Sequence, residues 1–201
     1  MSIIRDSPYS IEQFNHLIRS RRSIFPDQFD KDKTIPEDVI WQLLENANWA
    51  PNHKQTEPWR FVVFSGEGRK KIASFQATRY KETAGEKFRQ DKYDKLLSNP
   101  LLCSQIIAIV LKRSKEVSIP EVEEIAAVAC AVENLYLSAT AYGLGGYWST
   151  GGITYDPAAR DFLELEGDDR LLGLFYLGVV RIPSPGGKRG DIRKKTNWVR
   201  E

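Results

Sequence analysis

The stretch Arg19-Ser20-Arg21-Arg22-Ser23 closes the first predicted helix of the chain with adjacent guanidinium and hydroxyl groups. A guanidinium offers paired donors to a phosphate, and a hydrogen bond to a charged partner contributes roughly 1.5–3 kcal/mol when water is excluded. Arg21, Arg22 and Ser23 are therefore candidate phosphate ligands. The alternative is that arginines at a helix C-terminus only complement the helix dipole, which contributes roughly 0.3–1 kcal/mol.

A second polar segment, WAPNHKQTEPW at residues 49–59, lies just before a run of aromatic and β-branched residues that predicts a strand. Trp49 and His53 are its candidate binding residues. A lone loop histidine is more often a surface or structural residue, so the prediction that His53 binds a ligand depends on the residues that surround it.

A third segment, GLGGYWSTGG at residues 143–152, follows a long predicted helix. Glycines adopt positive φ and let a backbone approach a planar ring closely. The alternative is a helix C-cap at Gly143 followed by a tight turn. The spacing of these glycines is not that of a GxGxxG dinucleotide fingerprint.

Taken together, the Arg-Arg-Ser helix end, the Ala-Pro-x-His-Lys loop and this glycine-rich turn resemble the nitroreductase family of flavin mononucleotide (FMN) oxidoreductases, in particular its small NAD(P)H nitroreductase branch. The segment GLFYLG at residues 173–178 is similar to the closing strand of that family, so the resemblance spans about residues 19–180. Two positions depart from the family pattern. Glu57 stands where many relatives have glutamine, and Trp49 stands where this branch has arginine.

The resemblance implies an α+β fold with three layers, α/β/α, and a central, mainly antiparallel sheet flanked by helices. It implies that Arg21, Arg22 and Ser23 hold the FMN phosphate, and that Trp148, Ser149 and Thr150 lie beside the isoalloxazine ring. It also implies a homodimer with two composite FMN sites, in which Trp49 and His53 reach the flavin of the other subunit. At Trp49 an indole can stack or pack against a flavin, but it cannot pair with phosphate.

The activity implied is hydride transfer from NAD(P)H, through flavin N5, to a small organic acceptor such as a nitroaromatic or a quinone, by a ping-pong mechanism. No side chain is required as a nucleophile, and none is expected to be catalytic. The alternative that the protein is a specialised relative, which uses FMN for dehalogenation, ring cleavage or enone reduction, stays open. So does a flavin carrier or sensor without NAD(P)H turnover. The sequence does not choose between NADH and NADPH.

Hydrophobic periodicity predicts the order of the secondary-structure elements. Capping-box patterns predict helices that start after Ser10 and at residues 34–37, and a further helix runs from Pro120 to Gly143. The charged residues 68–90 indicate one or two solvent-facing helices, and a mobile lid could lie there. Asp156-Pro157 predicts a short helix. Strands are predicted at 59–64, 104–111 and 172–180, and residues 145–150 are predicted to form a short strand or a turn. The length of the strand at 59–64 suits a buried sheet.

The small residues of the long predicted helix let another helix approach closely on more than one side, which suggests that it is a central helix or lies at a dimer axis. The two cysteines, Cys103 and Cys130, are both expected to be packed thiols, and the two histidines offer no zinc spacing, so no metal is predicted.

Length and charge predict one FMN-binding domain over residues 1–201, with a basic tail from about residue 183. The net charge of +2 does not favour a nucleic-acid partner, and the basic run 188–195 is typical of a solvated tail. Trp198 and Val199 are apolar anchors that suggest the tail covers a partner subunit. No apolar run approaches the roughly 20 residues of a membrane span, and no leader is visible, so we expect a cytoplasmic protein without a membrane partner.

Overall fold

A central sheet of four antiparallel strands organises the computed structural model, which describes residues 8–115 and 118–200. Within these ranges the strand order is β1-β2-β4-β3. The strands are β1 (Trp59–Phe64), β2 (Gln105–Leu111), β3 (Leu144–Ser149) and β4 (Arg170–Val179). The predicted strands are present, and the segment left open between strand and turn is strand β3.

Six α-helices lie in the described part of the chain. They are α1 (Ile11–Ser20), α2 (Glu37–Asn48), α3 (Gly68–Thr83), α4 (Gln90–Ser98), α5 (Glu121–Ala141) and α6 (Ala158–Phe162). No helix in this part is both long and apolar enough to cross a membrane.

The sheet separates two hydrophobic cores, because successive side chains of a strand point to opposite faces. Every residue of β2 is buried. Ile107 and Ile109 belong to the core that contains Leu43 of α2 and Leu135 of α5. Their neighbours Ile106, Ala108 and Val110 belong to the core with Ile72 of α3 and Ala159 of α6. This arrangement confirms the α+β, three-layer prediction.

One of the two predicted helix caps is correct. Ser10 is the N-cap of α1, and its side chain accepts a hydrogen bond from the backbone N–H of Gln13. The second cap is wrong: Pro36, not Thr34, is the N-cap of α2, and it makes no side-chain cap bond. Thr34 thus lies two residues before the cap, too early to bond the first free amides of the helix.

The charged segment 68–90 forms α3 and then, from Gln90, α4. Its prediction as solvent-facing is wrong for α3, because Ile72, Ala73, Gln76 and Ala77 are buried. Small and polar side chains on that inward face hide it from a hydrophobicity pattern.

Two burial predictions also need correction. Strand β1 is one of the two edge strands of the described sheet, and Val63 on it is 38% exposed, so β1 is not covered throughout. Cys103 is buried as predicted, whereas Cys130 is exposed on α5 in the single chain. Burial raises the pKa of the Cys103 thiol well above its usual range.

Candidate functional site

The Arg-Arg-Ser segment leaves the end of α1 and runs along the outer edge of the sheet beside β3. Ser23 forms a parallel bridge with Gly146, and the backbone N–H of Ile24 donates to the Gly146 carbonyl at 2.9 Å. This close approach requires a glycine at 145, since a Cβ there would lie 2.7 Å from the Cβ of Ile24. Two of the three predicted binding segments are therefore neighbours in space.

Arg21 is directed onto α5. Its guanidinium carbon lies 5.0 Å from the ring centre of Tyr136, and its Nε lies 3.8 Å from a carboxylate oxygen of Glu133. The Tyr136 hydroxyl in turn accepts a hydrogen bond from the backbone N–H of Trp148 at 2.7 Å. Tyr136 thus connects the predicted phosphate segment with the predicted ring segment. Tyr136 was not predicted as a site residue, although a tyrosine stands out among the small residues of this alanine-rich helix.

Arg22 contacts the C-terminal tail. Its Nη1 donates to the carbonyl of Arg21 at 2.6 Å, and a Cβ at Gly187 would lie 2.7 Å from its guanidinium carbon. The Nε atom of Arg22 is buried and has no hydrogen-bond partner among the described residues. An unpaired buried donor costs roughly 1–3 kcal/mol, so an acceptor at this position would be stabilising.

Ser23 also meets the tail, because its carbonyl accepts a hydrogen bond from the Ser184 hydroxyl at 3.1 Å. The tail therefore begins beside the predicted phosphate ligands. Sequence reasoning did not anticipate this contact, which joins residues far apart in the chain.

Trp148 and Ser149 end strand β3, and Thr150 follows it. The indole Nε1 of Trp148 is buried without a hydrogen-bond partner in the described structure, and it lies against Gly173 of β4, where a Cβ would be 2.5 Å away. Strand β4 is irregular here: Gly173 pairs with Ile109 and Leu171 with Val110, so a residue is left over as a bulge. Bulges often lie next to binding sites, where they redirect a strand.

A cavity of about 600 Å³ opens beside Trp148 and Thr150. Apolar side chains from α5, β4 and the segment before it form much of its wall, among them Ile125, Leu165 and Leu172. The volume is in the range of small-molecule sites, which measure roughly 300–1,000 Å³.

The sequence attributes the glycines at 145 and 146 to the approach of a planar ring, and the structure gives a different reason for them. A Cβ at Gly146 would overlap the ring of Phe175, and one at Gly145 would overlap Ile24. Both glycines are required by packing within the protein. Gly151 and Gly152, by contrast, have open space around them.

The remaining predicted residues lie elsewhere. Trp49 follows α2 and is 79% exposed, and its indole N–H donates to Glu45 at 3.0 Å. Nδ1 of His53 is 2.6 Å from a carboxylate oxygen of Glu123, in the first turn of α5. Sequence reasoning assigned that glutamate only to the helix dipole.

The residues of α5 that His53 and Arg21 contact are well separated. His53 contacts Glu123 and Arg21 contacts Glu133, and roughly 15 Å of helix axis lies between these two glutamates. One chain therefore brings Arg21, Ser23 and Trp148 together around β3, and it leaves His53 at the other end of α5. Trp49 lies nearer to Arg21, because its backbone N–H donates to the Asn46 carbonyl, which also accepts from the Asn134 side chain beside Glu133. Within the described ranges, no group of three His, Cys, Asp or Glu side chains is arranged to hold a metal ion.

The fold and site define a three-layer α+β protein in which an arginine- and serine-bearing segment pairs with strand β3, and the end of the same strand lines a cavity. Comparison with known proteins gives its family. The sequence model of the Nitroreductase family matches residues 18–179. YfhC of Bacillus subtilis (strain 168), named provisionally as an NAD(P)H nitroreductase, is 30% identical over 184 residues, which cover 89% of this chain and 90% of YfhC. The chain belongs to the nitroreductase family, a family of oxidoreductases.

Solved structures agree with this assignment. The crystal structure of a nitroreductase-like family protein from Bacillus cereus matches with a TM-score of 0.80 at 27% identity and covers 98% of this chain and 100% of that one. A protein from Desulfovibrio desulfuricans, named provisionally as a nitroreductase and crystallised in complex with FMN, matches with a TM-score of 0.71 at 21% identity, covering 98% of this chain and 99% of that one. At this lower identity the likeness concerns the fold.

Proposed function

We propose that residues 1–201 form one FMN-binding domain, and that the protein is an FMN-dependent oxidoreductase which passes electrons from NAD(P)H to a small organic acceptor. The observation that carries this proposal is the contact between the Arg-Arg-Ser segment and strand β3, in a chain of the nitroreductase family. The name of YfhC and the FMN complex of the Desulfovibrio protein support the choice of reductant and cofactor.

The residues present fit a phosphorylated cofactor. Arg22 holds a buried Nε without an acceptor among the described residues, and Arg21 is only partly engaged, because its ion pair with Glu133 is long at 3.8 Å. Anionic phosphate oxygens are the acceptors that guanidinium groups pair with best. Arg21, Arg22 and Ser23 would hold the phosphate, and Trp148, Ser149 and Thr150 would lie beside the isoalloxazine ring.

FMN supplies hydride and electron transfer when it is bound, so the chain's own residues have to bind and orient rather than react. Tyr136 fixes the backbone of Trp148 through the bond to its N–H, which sets the position of the segment 148–150. The apolar wall of the cavity beside Thr150 would exclude water from one face of a bound ring. A hydride donor and an acceptor would each use the cavity in turn, as a ping-pong mechanism requires.

We further propose a homodimer with two composite sites. His53 lies roughly 15 Å along α5 from Arg21 within one chain, and a second subunit would supply it together with Trp49 of the same loop. Exposed apolar side chains are available for such an interface: Ile11, Phe14 and Ile18 form a patch on α1, and Val122 lies separately in the first turn of α5. Exposed apolar patches of this kind mark interaction sites. Trp198, 79% exposed in the tail, would be covered by the same partner.

The test is an absorption spectrum of the purified protein, followed by anaerobic addition of NADPH and then NADH. Flavin bands that bleach with either nucleotide are the expected result. Flavin bands that persist would favour a carrier or sensor without turnover, and a protein that takes up no FMN would overturn the proposal.

A further inference from the structure

The contact between His53 and Glu123 joins two elements that lie far apart in the sequence. His53 belongs to a short 3-10 turn after α2, and Glu123 lies in the first turn of α5. The distance from Nδ1 to Oε2 is 2.6 Å, although both side chains are about half exposed in the single chain. A hydrogen bond this short fixes the orientation of the imidazole ring.

The loop that carries His53 is itself held in an unusual conformation. Lys54, Gln55 and Glu57 all have positive φ, at 52°, 55° and 43°, and none of them is glycine. Left-handed backbone is unfavourable for such residues and persists only when the surroundings impose it. The side chain of Asn52 accepts a hydrogen bond from the backbone N–H of Glu57 at 3.0 Å. The contact between His53 and Glu123 connects the loop to α5.

The chemistry of the contact determines where the histidine proton lies. An ionised carboxylate can only accept a hydrogen bond, so Nδ1 of His53 must carry a hydrogen. In the neutral ring Nε2 then has none and is an acceptor. The flavin has suitable donors, namely the N3–H of its ring and the hydroxyls of its ribityl chain.

We propose that Glu123 is a positioning residue that keeps a hydrogen on Nδ1 of His53, so that in the neutral ring Nε2 accepts a hydrogen bond from the flavin bound to the partner subunit. The part of this inference that concerns the flavin rests on the proposed function. The part that concerns the tautomer rests on the geometry of the chain alone. Carboxylates that orient a histidine in this way are common around functional imidazoles.

The first arm of the test is ¹⁵N NMR of the imidazoles in the FMN-free protein, taken in the alkaline limit where both histidines are neutral. The chain has only two histidines, His16 and His53, so the assignment needs one variant, His16→Gln. The expected His53 signals are those of the Nδ1–H tautomer. In Glu123→Leu they should move to the Nε2–H form that free histidine prefers, while Glu123→Gln, which keeps an acceptor oxygen, should retain the wild-type form at least in part.

Glu121→Gln is the matched control. It removes a charge from the same turn of α5, but Glu121 pairs with Arg170 and not with His53. The His53 signals should not change in this variant. Equal signals in wild type and Glu123→Leu would overturn the proposal.

The second arm measures FMN affinity by fluorescence titration. Glu123→Leu and His53→Leu should weaken binding by similar factors, of roughly 5- to 50-fold, and the double variant should lose little more, because coupled residues are not additive. If Glu123→Leu changes the tautomer of His53 without any loss of FMN affinity, the role of His53 toward flavin is overturned and the proposed function stands. A wild-type protein with the Nδ1–H tautomer that binds no FMN would instead overturn the proposed function, and the flavin role of His53 with it.

Discussion

Arg79 of α3 holds Asp156, which lies two residues before α6, through two hydrogen bonds. Nε donates to Oδ2 at 2.8 Å and Nη2 donates to Oδ1 at 3.2 Å. Asp156 also accepts the backbone N–H of Ala158 and lines the cavity beside Thr150. Helix α3, which was predicted to be solvent-facing, therefore fixes the segment that follows the candidate ring-binding residues.

Arg79→Ala should loosen the segment 150–157 and lower the melting temperature by a few degrees, because the Asp156 carboxylate loses its paired donors. Hydrogen exchange of the amides in that segment should quicken at the same time. The control is Lys70→Ala, which removes an exposed ion pair with Glu67 at the start of the same helix and should change neither measurement. Unchanged exchange in Arg79→Ala would show that the contact does not order the segment.

The same pair predicts a pH dependence. The hydrogen bond from Arg79 lowers the pKa of Asp156 below its ordinary value. A depressed carboxyl pKa contributes stability that is present above the unfolded value of roughly 3.9 and is lost as the pH falls through the folded value. The stability difference between wild type and Asp156→Asn should be constant near neutral pH and should shrink below about pH 4. Chemical denaturation across this range measures it, and a difference that grows on acidification would contradict the assignment.

Arg22→Ala should weaken FMN binding by roughly 10- to 100-fold, the equivalent of one hydrogen bond between charged partners. The melting temperature of the FMN-free protein should change little, because Nε of Arg22 has no partner among the described residues and its Nη1 bonds only the carbonyl of the adjacent Arg21. Fluorescence titration and thermal melting check the two statements separately. A variant that melts early yet still binds flavin would favour the alternative in which the arginines only complement the helix dipole and pack the tail.

Gly146→Ala should destabilise the fold by about 1–3 kcal/mol, since its Cβ would overlap the ring of Phe175 in a filled core. Gly186→Ala is the control, because nothing lies within 4 Å of its Cβ position. Urea denaturation of both variants gives the comparison. Equal stabilities would mean that the sheet shifts to make room.

Composite sites can be tested by mixing two defective proteins. Arg22→Ala and His53→Ala homodimers should each be impaired. After subunit exchange at equal amounts, half of the dimers are mixed and each regains one complete site, so about one quarter of wild-type activity should return. Sedimentation at micromolar protein should show a dimer throughout. Activity that stays at the level of the parents, although exchange is demonstrated, would place all the ligands in one chain.

The sheet and the long helix could be predicted because their residues carry strong local patterns. The apolar run that becomes β2 and the glycine after α5 are examples, and Gly143 does adopt a positive φ of 70°. The start of α2 could not be placed, because Pro36 competes with Thr34 as a cap. The inward face of α3 was missed because Gln76 and two alanines carry little hydrophobic signal.

The site could be predicted only in part. Family motifs identify Arg21, Ser23 and Trp148 as neighbours, and the structure brings them to one edge of the sheet. The contacts that orient them were not visible, because Tyr136 and Gly187 meet these residues only after the chain has folded. Side-chain partners distant in sequence leave no local pattern to read.

The strand order β1-β2-β4-β3 has a consequence for synthesis on the ribosome. The strand that lies between β2 and β3 is the last to be made, so both neighbours emerge without their shared partner. Until residues 170–179 have left the ribosome, strand β2, which is buried along its whole length in the folded protein, has an open edge, and such edges promote association between chains. A pause in translation between β3 and β4 would prolong this exposure, so synonymous codon choice in residues 150–170 should affect the soluble yield more than codon choice elsewhere.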